Sequence, residues 1–234
     1  MKILALETST KNFSLAVSDS GKVLKSRHVR LKKVLSSSII PGIDRILKDC
    51  RLKLNDIDGF AVGLGPGSFT SLRVGLATVK GLAFALQKPV VGISSLDILA
   101  SAFKKTPPSA HICVICDAKR DLLYTSCYRY NEGRVKRESD YLLIGIDEVL
   151  KRISEDTVFV GDGIALFQRR IEEAVQAGFE KKKWQAHFTG EKFWQPRADV
   201  LAIMAAERFK AKKTDQTDRL TPVYLYPENC QVAR

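Results

Sequence analysis

Four glycines and a proline lie within the thirteen residues of the stretch GLGPGSFTSLRVG, residues 63 to 75. A glycine-rich loop between a strand and a helix can hold a phosphate, because its backbone N–H groups approach the ligand closely. It can also make a tight turn that positions the helix that follows. The residues that would build either loop are Gly63, Gly65, Pro66, Gly67, Ser68 and Thr70.

Three known loop patterns do not fit this stretch. A P-loop requires lysine and then serine or threonine after its second glycine, but the chain continues Ser68, Phe69, Thr70. A dinucleotide-binding fingerprint requires glycine at position 68, and a nucleophile elbow requires glycine two residues before and after Ser68. The sequence therefore favours a strand-to-helix turn in which Ser68 or Thr70 caps the helix.

Two carboxylates, Glu7 and Asp117, each follow an apolar strand and could reach a magnesium ion or a phosphate. Cys113 and Cys116 form a CVIC pair, but they lie in a β-branched run where residues three apart point to opposite faces. That spacing opposes a shared metal, and a buried strand is the favoured interpretation. The three histidines are far apart in sequence and predict no metal site: His28, His111 and His187.

Composition limits the class of protein. The chain has 234 residues, of which 45% are hydrophobic, enough to bury one large core or two small ones. The start MKILALETST lacks a secretion signal, and no uninterrupted apolar run is long enough for a membrane span, so we expect a cytoplasmic protein without membrane contact. Five cysteines, an odd number, do not indicate a disulfide framework.

The formal net charge is +12, with clusters of basic residues that could either bind nucleic acid or form solvated faces. The two interpretations remain open, because no aromatic residues alternate with these cations. One basic cluster, Lys181, Lys182 and Lys183, is a candidate for contact with RNA.

The elements that position these residues form two successive α/β units. Residues 2 to 7, 13 to 17 and 22 to 29 predict an antiparallel meander, and a helix follows over about 36 to 50 with Ser36, Ser37 or Ser38 as its N-cap. A second helix is predicted over 69 to 86. From residue 111 a second series of strands and helices begins, and Pro196 opens a late amphipathic helix. The predicted domains are residues 1–106 with 197–234, and residues 107–196.

The repeated order of strand, acidic turn and strand resembles the actin/hexokinase/Hsp70-like (ASKHA) ATPases. The segments ILALETST, GLGPGSFTSLRVGLATVKGLA, VVGISSLDILA, DAKRDLLY, VGDG and PVYL together resemble the TsaB (YeaZ) family. The resemblance implies a two-lobed ASKHA α/β fold with a reduced second lobe and no catalytic residues, metal or cofactor. It implies a subunit that pairs with TsaD, with the ATPase TsaE joining, for threonylcarbamoylation of adenosine 37 in tRNA.

The chain departs mildly from the pattern of that family. Glu7 stands where aspartate is frequent, Ser71 where glycine is frequent, Lys119 where the family has arginine and Tyr226 where arginine is common. At the positions of the HxxxH metal motif of the catalytic paralogue, this chain has Ser95 and Leu99, neither of which supplies an imidazole.

The resemblance implies that the helices over 36–50 and 69–86 form a bundle with the partner. The predicted interface residues are Ile39, Ile43, Leu72, Gly75, Leu76, Val79 and Ala83. The alternative is that the same apolar stripe packs on the chain's own sheet. Two other functions stay open: a small ASKHA-type ATPase or kinase that uses Glu7 and Asp117, and a homodimeric adaptor that pairs through the same helices.

Overall fold

The computed structural model describes residues 1–30, 34–103, 111–131, 133–178 and 184–226. The chain divides into two compact units. Unit 1 comprises Met1–Ile98 and Pro196–Val223, and unit 2 comprises Leu99–Gln195 and Tyr224–Arg234.

Unit 1 contains a five-stranded sheet in the order β3-β2-β1-β4-β5. Its strands are β1 (Lys2–Glu7), β2 (Asn12–Asp19), β3 (Lys22–Arg30), β4 (Gly59–Gly63) and β5 (Val90–Ile93). The predicted antiparallel meander is confirmed, since β1 pairs with β2 and β2 with β3 in antiparallel register. Strands β4 and β5 continue the sheet in parallel with β1.

Helices cover both faces of this sheet: α1 (Leu35–Asp49), α2 (Phe69–Leu86), α3 (Ser95–Ala102) and, late in the chain, α6 (Ala198–Lys210). Because side chains alternate along a strand, Leu4 and Leu6 pack with α1 and α2 on one face. Ile3 and Ala5 pack with α6 on the other face. Two hydrophobic cores therefore fix the positions of α1, α2 and α6 on the sheet.

The predicted cap of α1 differs from the structure, while that of α2 is confirmed in its residue, Ser68, but not in its side-chain hydrogen bond. Helix α1 begins at Leu35 with Val34 as its N-cap, and the hydroxyls of Ser37 and Ser38 donate to the Val34 carbonyl instead of capping N–H groups. Ser68 is the N-cap residue of α2, but its hydroxyl bonds to the hydroxyl of Ser71 at 3.0 Å. These helices are therefore held mainly by their packing.

Unit 2 contains a six-stranded sheet with the path β11-β10-β6-β7-β8, and β9 pairs with β7. The strands are β6 (His111–Lys119), β7 (Leu122–Asn131), β8 (Arg134–Arg137), β9 (Leu142–Gly145), β10 (Thr157–Val160) and β11 (Ala186–Phe188). Helices α4 (Ile146–Lys151) and α5 (Ile164–Gln176) pack on it. The single strand expected over residues 134 to 143 is two short strands, and β11 lies in a segment predicted to be irregular.

The two units divide at different residues from those predicted. The break after Ile98 precedes the predicted boundary at 106/107, and the segment 104–110 lies outside the described residues. The end of the described chain also belongs to unit 2. There the Tyr226 hydroxyl donates to the Ala118 carbonyl at 2.7 Å, and its ring packs edge-on against Tyr124.

Candidate functional site

The glycine loop leaves β4 at Gly63 and enters α2 at Phe69. Gly65 has φ +86°, in the left-handed region that favours glycine, and the Gly65–Pro66 peptide bond is cis. The N–H groups of Leu64, Gly65 and Ser68 donate to the Ile93 carbonyl, the Ser95 hydroxyl and the Ser9 carbonyl respectively. These three donors are thus already used by the protein and are not directed at a ligand.

The carboxyl group of Glu7 lies against this loop and is 2% exposed. One of its oxygens accepts the Ser9 N–H at 2.6 Å, and the other accepts the Ser95 hydroxyl at 3.0 Å. Burial raises the pKa of Glu7, and the hydrogen bonds from Ser9 and Ser95 offset part of that rise. Glu7 therefore holds β1, the loop and α3 together.

Three positions in the loop and in α2 must be glycine, because the backbone there lies very close to residues 7 to 9. A Cβ atom at Gly63 would overlap the Glu7 carboxylate, and one at Gly67 would overlap the Ser9 carbonyl. A Cβ atom at Gly75 would overlap the side chain of Thr8, whose hydroxyl donates to the Ser71 carbonyl at 3.0 Å. The loop and the first turns of α2 are thus fitted tightly against residues 7 to 9, which agrees with the helix-positioning interpretation.

The predicted interface residues lie in the chain's own core. Every one of them is buried, and those other than glycine are 1% to 6% exposed: Ile39, Ile43, Leu72, Gly75, Leu76, Val79 and Ala83. Five of them pack in the core cluster on the sheet of unit 1, whereas Gly75 lies against Thr8 and Leu72 against Gly65 of the glycine loop. Their burial favours the alternative that this stripe packs within the chain, and their assignment to a partner surface stays a prediction. The apolar stripe read from the sequence is the face that α1 and α2 turn toward the sheet.

Helix α2 exposes a second face, mostly apolar, which we call the outer face: Phe69, Arg73, Ala77, Gly81, Phe84 and Ala85. Phe84 is 76% exposed, and a Cβ atom at Gly81 would meet no atom within 4 Å. Small residues at positions 77, 81 and 85 recur every four residues, which lets another helix approach closely. On α1, Ile40 is 53% exposed. The apolar period of the sequence did not identify this outer face, because that period follows the buried side of α2, although the sequence shows the glycine and alanine residues.

By length and composition, α2 is the one helix among the described residues that could cross a membrane, with a mean hydropathy of 1.3 over 18 residues. Only 28% of these residues are buried. Arg73 and Lys80 interrupt the apolar sequence, and the Lys80 ammonium donates to the Asp218 and Leu220 carbonyls. The helix is thus apolar around most of its circumference, while the sheet covers one side only.

The second acidic turn, around Asp117, is also occupied by protein groups. The Asp117 N–H donates to the Asp162 carboxylate at 3.0 Å, and the Asp117 carboxylate accepts the Lys119 N–H at 2.8 Å and pairs with the Lys119 ammonium. Burial raises the pKa of Asp162. Gly161 and Gly163 bring the following chain against the Ile115 carbonyl. Asp117 therefore has its nearest cation within its own turn.

The described residues contain no group of three or more His, Cys, Asp or Glu side chains arranged to hold a metal ion. Ser95, at a position of the paralogue's metal motif, bonds to Glu7, and Leu99 is buried. In the CVIC pair, Cys113 is fully buried and Cys116 half-buried on β6. The basic cluster Lys181, Lys182 and Lys183 lies outside the described residues.

Comparisons with known proteins agree with this geometry. The family model described as TsaD, tRNA N6-adenosine threonylcarbamoyltransferase, matches residues 30–231. The tRNA threonylcarbamoyladenosine biosynthesis protein TsaB of Bacillus subtilis (strain 168) is 29% identical over 229 residues, which cover 96% of this chain and 94% of that protein.

Solved structures give the fold. A crystal structure from Pseudomonas aeruginosa, described as similar to peptidase YEAZ, has a TM-score of 0.80 and 26% identity, covering 96% of this chain and 99% of that chain. The Lmo2764 protein of Listeria monocytogenes, a proposed N-acetylmannosamine kinase, shares the fold alone, with a TM-score of 0.53 and 10% identity over 90% of this chain and 100% of that chain. The predicted ASKHA α/β fold class is confirmed. The chain belongs to the TsaD family, in its TsaB (YeaZ) group, and takes part in the biosynthesis of threonylcarbamoyladenosine in tRNA.

Proposed function

We propose that this chain is a non-catalytic, cytoplasmic subunit that binds the TsaD transferase through the outer face of α2. The observation that supports the proposal is the exposed apolar surface of that helix, with Phe84 76% exposed beside the open space at Gly81. A large aromatic side chain next to small residues provides an anchor and room for a facing helix. The glycine loop serves this function by fixing α2 on the sheet.

A paralogue is the expected occupant of this face. The chain matches the family model that carries the transferase description over residues 30–231, so that family shares the region that contains α1 and α2. Two related subunits can pair similar helices about an approximate two-fold axis, as identical subunits do about a true one. By the same symmetry, this chain pairs with itself when the transferase is absent, and the heterodimer replaces the homodimer when the transferase is added.

The alternative of a small ATPase or kinase is less well supported. Both Glu7 oxygens accept hydrogen bonds from within unit 1, and three N–H groups of the glycine loop are already paired. A nucleotide phosphate would have to displace these contacts at a buried carboxylate, which carries the same sign of charge. We therefore propose a positioning role for these groups and no cofactor.

We further propose that TsaE joins the heterodimer and that tRNA binds to the assembled complex. The net charge of +12 favours an approach of RNA to this subunit. Exposed cations in the described part of the chain include Arg134 and Lys136 on β8, and Lys210, Lys212 and Lys213 at the end of α6. Charge reversal at Lys212 and Lys213 is expected to weaken tRNA binding by the complex at low salt, whereas unchanged affinity would exclude this patch.

The experiment that tests the proposed pairing is light scattering coupled to size exclusion, on the chain, on its TsaD paralogue and on their mixture. The proposal predicts a one-to-one complex that replaces any homodimer, and no binding of ATP by the isolated chain in a titration. Two unmixed, folded species, together with saturable ATP binding, would favour the ATPase alternative instead.

A further inference from the structure

Cys113 and Cys127 lie directly opposite each other on the antiparallel strands β6 and β7 of unit 2. The Cys127 N–H donates to the Ser139 hydroxyl, and its carbonyl accepts the N–H groups of Glu138 and Ser139. Because both backbone groups of Cys127 point away from β6, the two cysteines form a non-hydrogen-bonded pair, with Cα atoms about 4.5 Å apart. That separation falls within the range of roughly 4.4–6.8 Å that a disulfide spans.

His111 lies on the same face of β6 as Cys113 and lines the same cavity as Cys127. Its Nδ1 atom is 2.8 Å from the Thr157 hydroxyl oxygen, and that hydroxyl donates its one proton to the Glu155 carbonyl. Nδ1 must therefore carry a proton and donate it to Thr157. In the neutral ring this leaves the lone pair on Nε2, which can accept a proton from the Cys127 thiol.

The Cys127 side chain opens into a cavity of about 200 Å³, which is also lined by His111, Ser139 and Arg152. Cys127 is half-buried, whereas Cys113 is fully buried behind it. Hydrogen bonds from Cys113 and His111 lower the pKa of the Cys127 thiol, and the same contact with Cys127 raises the pKa of the Cys113 thiol. The lowered pKa favours the thiolate at Cys127, which lines the cavity, and the raised pKa favours the thiol at the buried Cys113.

We propose that Cys127 is a nucleophilic thiol that reacts with small disulfides entering this cavity, and that Cys113 is its resolving thiol. The Cys127 thiolate attacks one sulfur of R–S–S–R, which forms a mixed disulfide and releases one R–S⁻. Cys113 then loses its proton and attacks the Cys127 sulfur, which forms the Cys113–Cys127 disulfide and releases the second R–S⁻. Two protein thiols are oxidised, the small disulfide is reduced to two thiols, and the two protons pass to the released thiolates.

The test uses 2,2′-dithiodipyridine on the full chain, with absorbance reporting each released thiol and peptide mass spectrometry locating the product. At pH 6 we expect a phase at Cys127 at least about tenfold faster than the reaction of Cys50, because an ordinary thiol is almost fully protonated there. Burial raises the pKa of Cys50, which makes Cys50→Ser the matched control that leaves the fast phase unchanged. His111→Gln is expected to move the pH dependence of that phase upward.

The reaction of Cys113 with the mixed disulfide distinguishes this proposal from a reactive Cys127 that has no resolving partner. Wild-type protein is expected to end with a Cys113–Cys127 disulfide, whereas Cys113→Ser stops at a stable adduct on Cys127. The proposal is overturned if brief labelling of the wild type at pH 6 places the first adduct on another cysteine. It is also overturned if the wild-type adduct on Cys127 persists without a disulfide. Because both readouts use wild-type protein, they remain valid even where a variant does not fold.

Discussion

The hydroxyl oxygen of Ser95 lies 3.0 Å from Oε2 of Glu7 and donates its proton to it. The same oxygen accepts the N–H of Gly65 at 3.2 Å, and the Ser95 N–H donates to the Gly65 carbonyl at 2.7 Å. One residue at the start of α3 therefore connects the end of β1 with the glycine loop. The sequence pattern aligns Ser95 with a metal-binding histidine of the catalytic paralogue, and in this chain the residue serves to join structural elements.

Replacing Ser95 with alanine is expected to lower the free energy of unfolding by about 1–3 kcal/mol, because a buried carboxylate oxygen and a buried N–H each lose a partner. Ser94→Ala is the matched control. It removes a hydroxyl that donates to the same Gly65 carbonyl, which keeps its bond from the Ser95 N–H, and that accepts the Leu96 N–H at 3.3 Å. One N–H therefore loses its partner in this control, but no carboxylate oxygen does. Urea unfolding measures both variants, and an equal or larger loss for Ser94→Ala would contradict the bridging role of Ser95.

Glu7 is expected to make stability depend on pH. Burial raises the pKa of Glu7 above its ordinary value of 4.5, so the folded chain binds this proton more tightly than the unfolded chain. The resulting stabilisation is complete below the unfolded pKa and is lost as the pH rises through the folded pKa. The free energy of unfolding of the wild type, minus that of Glu7→Gln, should therefore fall as the pH rises above 4.5 and then level off.

Chemical unfolding of both proteins at a series of pH values measures this difference, and subtraction removes the titration of all other groups. A difference that stays constant from about pH 4 to pH 8 would mean that Glu7 titrates alike in the folded and unfolded states.

Substitutions at Gly81 and Gly75 distinguish the role of the outer face of α2 from that of its core face. Gly81→Leu adds a side chain in open space, so the fold is expected to keep its stability or gain up to about 1 kcal/mol from helix propensity. Binding to TsaD is expected to weaken at least about tenfold, because the facing helix loses its close approach. Gly75→Leu is expected to destabilise the isolated chain by about 1–3 kcal/mol through overlap with Thr8.

The control for Gly81→Leu is Gly190→Leu, since a Cβ atom at Gly190 also meets no atom within 4 Å and the residue lies in unit 2. Calorimetric titration with TsaD and thermal unfolding distinguish the two effects. Wild-type affinity of Gly81→Leu would show that no helix packs closely at this position.

Sequence reasoning predicted α2 over residues 69 to 86 and the role of the glycine loop, because proline, glycine and a regular apolar period mark both. It did not predict which face of α2 is free. The helix is apolar around most of its circumference, so the period through Leu72, Leu76 and Val79 identifies a face without saying what covers it. Only the position of the sheet decides that these side chains are core and that Phe84 is exposed.

The cluster of Cys113, Cys127 and His111 was beyond sequence reasoning for a different reason. Its geometry depends on the register between β6 and β7, which shifts between Asp117 and Lys119. A shift of one residue would place Cys127 on the other face of the sheet. The local pattern predicted the strands themselves and the burial of Cys113, but the partner of each residue is a tertiary property.

The central claim is that the outer face of α2 binds TsaD, and the affinity of Phe84→Asp for TsaD tests it most directly. Leu166→Asp is the matched control, because Leu166 is 60% exposed on α5 of unit 2. Both variants should fold like the wild type, since each changes an exposed side chain. The account predicts that Phe84→Asp weakens binding at least about a hundredfold, as expected for a central aromatic anchor, while Leu166→Asp binds normally. Unchanged affinity of a folded Phe84→Asp variant would contradict it.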